Sequence, residues 1–198
     1  MQHFYFVRHG STEWNRQRRM QGRRDSDLTA EGLEATRRLA QTLRPVRFDV
    51  CYVSPLGRAR ATAEALFGDR DVPICVLEEL GELGFGDMEG ARIEDFHGLF
   101  PEQFHDLWHD APRYDPSAFH GESFAEARLR AAGAVEAMTA GLADASIAVV
   151  SHGMMLKFIF DHLRQRALDR FWEEPVPENS RIIQVVLDGD RRVVDFIS

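Results

Sequence analysis

Two hydrophobic periods alternate along the chain. Short apolar runs over residues 4–7, 48–53, 72–77 and 147–150 predict strands. Longer stretches between them carry the 3.6-residue period of helices. Residues 29–44 place Leu33, Thr36, Ala40 and Leu43 on one face, with Thr29 as N-cap. Ser54-Pro55 fits the N-cap and first turn of a helix running to about Phe67. Ser123-x-x-Glu126 reads as a capping box, ahead of Phe124, Ala127, Ala131, Val135, Met138 and Leu142 at helical spacing. A further helix is expected after residue 150. Residues 182–187 and 193–197 read as a hairpin about Asp188-Gly189-Asp190.

Strands alternating with helices predict an α/β fold, a three-layer α/β/α sandwich on a mainly parallel sheet. The 198 residues suit a single domain over residues 1–198. The segment from about 84 to 121 breaks the alternation. It is rich in Gly, Pro, His and aromatics, among them Phe96, Phe100, Phe104, Trp108, Tyr114 and Phe119. It reads as a partly helical insertion over one end of the sheet. Its aromatics either line a pocket there or only pack the insertion down.

Charge changes the picture in one respect. The net charge is −8, which disfavours nucleic acid and anionic membrane as partners. Residues 1–60, however, hold 12 arginines and 6 acids, a balance of +6, and the remainder carries −14. Arg16, Arg18, Arg19, Arg23 and Arg24 either extend a positive field around a site or are ordinary surface charge. Cys51 and Cys75 both sit in apolar strand-like runs and read as two buried free thiols in a reducing compartment. The N-terminus reaches Arg8 after only a short apolar run, unlike a signal peptide, and no stretch approaches a membrane span. A cytoplasmic location is the expectation. No Cys/His metal spacing occurs; His105 and His109, spaced i, i+4, lack a third ligand for zinc.

Candidate chemistry lies just after the strands. The first is followed by Arg8-His9-Gly10, the second by Arg58, the third by Glu82 and the fourth by Ser151-His152-Gly153. Ligands of open α/β sheets bind beyond the carboxyl ends of parallel strands, so these groups are expected to converge. Taken singly, each is an ordinary surface or structural residue; together they suit phosphoryl transfer. Arginine forks match phosphate oxygens. Backbone N–H groups at Gly10-Ser11-Thr12 can add an anion nest. A neutral histidine nitrogen can attack phosphorus, and a carboxylic acid can protonate the leaving oxygen and then activate water. Arg58, in the first turn of its helix, opposes the helix dipole, so an anion is expected nearby.

Six segments in order resemble the histidine phosphatase superfamily, the phosphoglycerate-mutase-like proteins: "VRHGSTEWN", "QGRRDSDLTAEG", "SPLGRARATAE", "ELGFGDMEG", "VVSHG" and "ENSRI". The resemblance implies a phosphoglycerate-mutase-like fold and a metal-independent phosphomonoester hydrolase with no cofactor, acting on a small phosphorylated metabolite. It implies His9 as the nucleophile that becomes phosphohistidine and Glu82 as general acid, then base. Arg8, Asn15, Arg58 and His152 would hold the phosphoryl group. Ser11, Gln21, Gly22 and Gly153 would complete the substrate-binding set.

Hydrolases and mutases share these residues. Gln21-Gly22 resembles the phosphatase branch, where mutases typically carry Thr-Gly. Residues 91–123 hold two arginines against seven acids, a poor wall for the second anionic end of a bisphosphate. The expected substrate therefore has a neutral, apolar or aromatic remainder; the family resemblance on its own implies a wider range, phosphosugars, phosphoglycerate-like acids and α-ribazole phosphate. A cofactor-dependent phosphoglycerate mutase and a catalytically weak phospho-ligand-binding protein are the alternatives. Two positions depart from the family pattern. Met154 stands where many relatives have a second glycine, either narrowing the pocket or pointing into the core. Ser11 replaces the acid common after the R-H-G triplet in the phosphatase branch.

Overall fold

The computed structural model describes residues 1–188 and 193–197. Its six strands are β1 (Gln2–Arg8), β2 (Val50–Val53), β3 (Ile74–Val76), β4 (Ser146–Ser151), β5 (Ile182–Leu187) and β6 (Val193–Ile197). They form one sheet in the order β3-β2-β4-β1-β5-β6. The first four are parallel to one another; β5 and β6 run antiparallel at one edge. Inner strand β4 is apolar on both faces, as a strand covered by helices on both sides must be. The expected hairpin strands pair as β5 and β6, and Gly189 and Asp190 of its turn lie outside the described residues.

Helices α1 (Glu13–Arg16), α2 (Ala30–Leu43), α3 (Gly57–Phe67), α4 (Ile93–Leu99), α5 (Pro101–His109), α6 (Phe124–Thr139) and α7 (Gly153–Leu163) complete the layers. One core lies between the sheet and α2 and α3, built from Leu43, Cys51, Val53, Leu66 and Phe67. A larger one joins Phe4, Phe6, Val149, Met155, Phe158 and the apolar face of α6 on the other side. Thr29 caps α2 through Gly32 N–H, and Ser123 and Glu126 form the capping box of α6.

Three expectations are corrected. Helix α3 begins at Gly57 behind Leu56, not at Ser54-Pro55. The Ser54 hydroxyl is engaged with His152 instead, and the Asp25 carboxylate receives the Gly57 and Arg58 N–H groups. Leu142 lies beyond the end of α6. Cys75 is exposed, because β3 is the edge strand and its three residues all meet solvent. Cys51 is buried, which pushes its thiol up to about 12. The insertion carries α4 and α5 between 3₁₀ turns and is tied to the loop after α1 by Met20 N–H on Ala91 O and Gly90 N–H on Met20 O. Phe96 and Phe119 are buried at its centre, with Phe100 and Phe104 edge-on to Phe96. Most of its aromatics therefore pack the insertion.

Candidate active site

Register places the two histidines together. Strands β1 and β4 run parallel with Arg8 opposite Ser151, so His9 and His152 leave neighbouring strand ends. Their ring centroids are 5.1 Å apart, and His9 N–H donates to Ser151 O at 2.9 Å. The segment before β5 fixes the same loop: the Asn179 amide donates to His9 O at 2.7 Å and Ser180 N–H to Arg8 O at 3.1 Å.

The surroundings of His9 set its tautomer. Nδ1 lies 2.8 Å from Gly10 O, an acceptor only, so Nδ1 carries the proton. Nε2 is then a lone pair, and Arg58 Nε donates to it at 3.3 Å. Burial, followed by the charges of Arg58 and Arg8, holds the imidazole well below its usual range. His9 is thus unprotonated at the nitrogen that faces the cation.

His152 is fully buried and is pushed down by the same causes, burial first, then Arg58. Its Nε2 lies 2.6 Å from the Ser54 hydroxyl, and that oxygen already accepts Leu56 N–H. The hydroxyl proton is therefore free to point at Nε2, which leaves the His152 proton on Nδ1. That Nδ1 is buried without a protein partner. Arg8 Nε is a second orphaned buried donor, while its Nη1 is held by Pro177 O at 2.7 Å. Buried donors without acceptors cost about 1–3 kcal/mol each. A bound anion would satisfy both.

Arg58 is anchored on three sides. Nη1 donates to Arg24 O at 2.7 Å and Asp25 Oδ1 at 3.1 Å, and Nη2 to Gly22 O at 2.7 Å. Asp25 is thus the anion expected opposite the α3 dipole. Gly22 has φ +55°, and a Cβ there would lie 2.2 Å from Glu89 Oε1. Glu89 in turn accepts the N–H groups of Arg23, Arg24 and Phe85, binding this loop to the insertion. Glu82 is buried with its carboxylate on the first turn of α7. Oε1 accepts Leu83 N–H at 2.8 Å and Met155 N–H at 3.1 Å, and Oε2 accepts Met154 N–H at 3.3 Å.

A cavity of about 220 Å³ opens over these groups. Arg8, His9, Asn15, Gln21, Gly22, Arg58, Glu82 and Gly153 line it, so most of the expected set converges. Two of the expected residues do not line it: Ser11 lines a neighbouring open cavity with Thr29, Glu31 and Ser180, and His152 is fully buried beside His9, outside the lining. The expected anion nest at Gly10-Ser11-Thr12 is also corrected. Gly10 N–H is spent on the Thr62 hydroxyl and Thr12 N–H on Asn15 Oδ1. Met20, Phe85, Ile93, Trp108, Met154 and Val176 supply an apolar wall. Trp108 is the one aromatic of α4 and α5 in that wall. Met154 both lines the cavity and packs into the core. Arg19 joins the wall as a third cation, with Nη1 on Gly90 O. A Cβ on Gly153 would lie 3.2 Å from Arg8 Cζ, so a glycine there allows the guanidinium its position. The His105 and His109 rings lie 5.0 Å apart on α5, with no third ligand grouped with them among the described residues.

Residues 4–198 match the family model for the histidine phosphatase superfamily, branch 1. Phosphoserine phosphatase 1 of Hydrogenobacter thermophilus is 30% identical over 84% of this chain and 78% of its own length. The adenosylcobalamin/alpha-ribazole phosphatase of Escherichia coli is 30% identical over 85% and 82%. A 2,3-bisphosphoglycerate-dependent phosphoglycerate mutase of Methylobacterium matches at 29% over 86% and 82%. Among solved structures, Bacillus stearothermophilus YhfR superposes with a TM-score of 0.92 at 33% identity, covering 98% of this chain and 94% of that one.

Proposed function

The chain belongs to branch 1 of the histidine phosphatase superfamily and is a phosphatase of it; on that premise we propose that it hydrolyses small phosphomonoesters through a phosphohistidine at His9, without a metal ion. The observation that carries this reading is the His9 Nε2 lone pair facing Arg58 Nε, with the ring proton committed to Gly10 O. In the first step Nε2 attacks phosphorus and the bond to the ester oxygen breaks. The Glu82 carboxylic acid gives that oxygen its proton. Oε2, with one long hydrogen bond, is the atom suited to carry it. In the second step the Glu82 carboxylate takes a proton from water, whose oxygen attacks phosphorus and breaks the P–N bond. Inorganic phosphate leaves and His9 is neutral again. Arg8, Arg58 and His152 Nδ1–H stabilise the phosphoryl oxygens, the charge work that Mg²⁺ does in other phosphoryl transferases.

Cavity chemistry supports a small monoester with an apolar remainder. Its volume falls below the roughly 300–1,000 Å³ usual for drug-sized ligands. Beyond the expected site residues the lining is apolar except for Arg19, whose Nε and Nη1 already serve Gln17 and Gly90. Arg19 is also the one feature that favours a mutase, since it could meet a second anionic group. Hydrolysis of p-nitrophenyl phosphate, with phosphoglycerate interconversion as the parallel assay, decides between them. Turnover that survives EDTA and vanishes in His9→Ala is expected. Loss of turnover in EDTA, or bisphosphate-stimulated interconversion exceeding hydrolysis, would overturn the reading.

A further inference from the structure

The acid-bearing segment has little structure of its own. Glu82 lies between the 3₁₀ turns Glu78–Leu80 and Gly86–Met88, on backbone that belongs to no helix or strand. What fastens it is an arginine from another layer. Arg130 on α6 donates through Nη1 to Glu79 O at 2.8 Å and Gly81 O at 2.6 Å, and through Nη2 to Glu82 O at 3.2 Å. Its remaining donors meet Glu122 as a fork, Nε to Oε1 at 2.9 Å and Nη2 to Oε2 at 2.7 Å. All five N–H groups of the guanidinium are thereby spent, three of them on carbonyls of the acid's own segment. Glu122 closes the loop: its Oε2 accepts Gly84 N–H at 3.0 Å, and its own N–H donates to Gly84 O at 2.8 Å. Both side chains are largely buried, so water competes little for these bonds.

We propose that the Arg130–Glu122 pair is a positioning clamp that fixes the backbone of residues 79–84 so that the Glu82 carboxyl meets the departing ester oxygen. The inference rests on Glu82 being the general acid. Glu82 has two tethers: α7 amides hold the carboxylate and the clamp holds the main chain. With the clamp gone, only the amides at its two ends hold the carboxylate, and the main chain of residues 79–84 is free to shift and draw it away from the leaving oxygen. Arg130 does not itself line the cavity; it reaches the site through the Glu82 main chain.

Leaving-group dependence reads this role. A p-nitrophenolate leaves without protonation, whereas an alkoxide needs the acid. Values of kcat/KM report steps up to the first departure, so later water activation does not enter. In Arg130→Lys, which has three donors for five acceptors, kcat/KM for an alkyl phosphomonoester is expected to fall at least about tenfold relative to p-nitrophenyl phosphate. The paired variant Arg130→Met with Glu122→Gln removes both charges and is expected to act alike. Orthovanadate affinity, which reads the phosphoryl pocket, is expected to be retained in both. Glu82→Gln is the reference. If it leaves the leaving-group ratio unchanged, Glu82 is not the acid and the clamp has no function to serve. If Glu82→Gln lowers the ratio and both clamp variants lose activity equally on the two substrates, or lose none, the positioning role alone is overturned.

Discussion

Ser54 is the residue on which the chemistry of His152 depends. Its oxygen accepts Leu56 N–H and its proton is left for His152 Nε2, so the neutral imidazole keeps its own proton on Nδ1, the atom proposed to meet the phosphoryl group. Without the hydroxyl, neither tautomer is favoured by a partner. A hydrogen bond to a charged group is worth about 1.5–3 kcal/mol, and 1.4 kcal/mol is tenfold. Ser54→Ala is therefore expected to lower kcat/KM for p-nitrophenyl phosphate by roughly ten- to a hundredfold, with Ser54→Thr retaining most activity. Wild-type kcat/KM in Ser54→Ala would refute this role. The sequence made Ser54 a helix cap, a sound local inference that lost to a contact 98 positions away. Asp25 was foreseen only as an unnamed anion near Arg58. Its identity depends on a loop crossing the start of α3, which no local pattern encodes. That Arg8, His9, Arg58, Glu82 and His152 lie together was legible, because each follows a strand and strand ends share an edge in parallel sheets.

Element by element, the legible parts are those with strong periodicity or caps. Helices α2 and α6 begin where Thr29 and Ser123 indicate. Strands β4, β5 and β6 match their apolar runs closely, while β1 starts two residues before its run. Strand β3 is shorter and more exposed than its run implies, since an apolar pattern does not reveal which strand ends the sheet. The insertion's helices were foreseen in kind, but their facing was not. Phe96, Phe100, Phe104 and Phe119 turn toward one another, while the cavity wall is drawn from Trp108, Ile93, Phe85 and residues on other elements. Aromatic content announced a buried cluster here and not a binding face. Of the insertion aromatics named from the sequence, Trp108 alone lines the cavity, and the rest of its apolar wall comes from other residues.

Across the whole molecule, the basic N-terminal third divides into site and surface. Arg8, Arg58 and Arg19 reach the cavity; Arg16 and Arg38 pair with acids on their own helices, and Arg23 with Glu122. Surface pairs of that kind contribute about 0–1 kcal/mol and explain little of the fold. The buried histidines matter more. Both His9 and His152 are held below the ordinary value of 6.5 by burial and then by Arg58. Below about pH 6.5 the unfolded chain binds protons that the folded one refuses, so folding stability falls as pH drops from there toward the depressed values. Each imidazole contributes a slope of at most about 1.4 kcal/mol per pH unit. Urea unfolding at pH 7.5, 6.0 and 5.0 is expected to show this loss in the wild type and a shallower one in a His9→Asn, His152→Asn double variant. Equal slopes would mean that the histidines titrate normally in the folded state. No helix among the described residues is long and apolar enough to cross a membrane.

The most direct test of a phosphohistidine at His9 is the stereochemical course at phosphorus, followed with a monoester chiral through oxygen isotopes. Two in-line displacements, first by His9 Nε2 and then by water, give overall retention whether or not the intermediate accumulates. Retention is the expected result. Inversion would mean that water attacks the substrate directly, and would contradict the covalent mechanism.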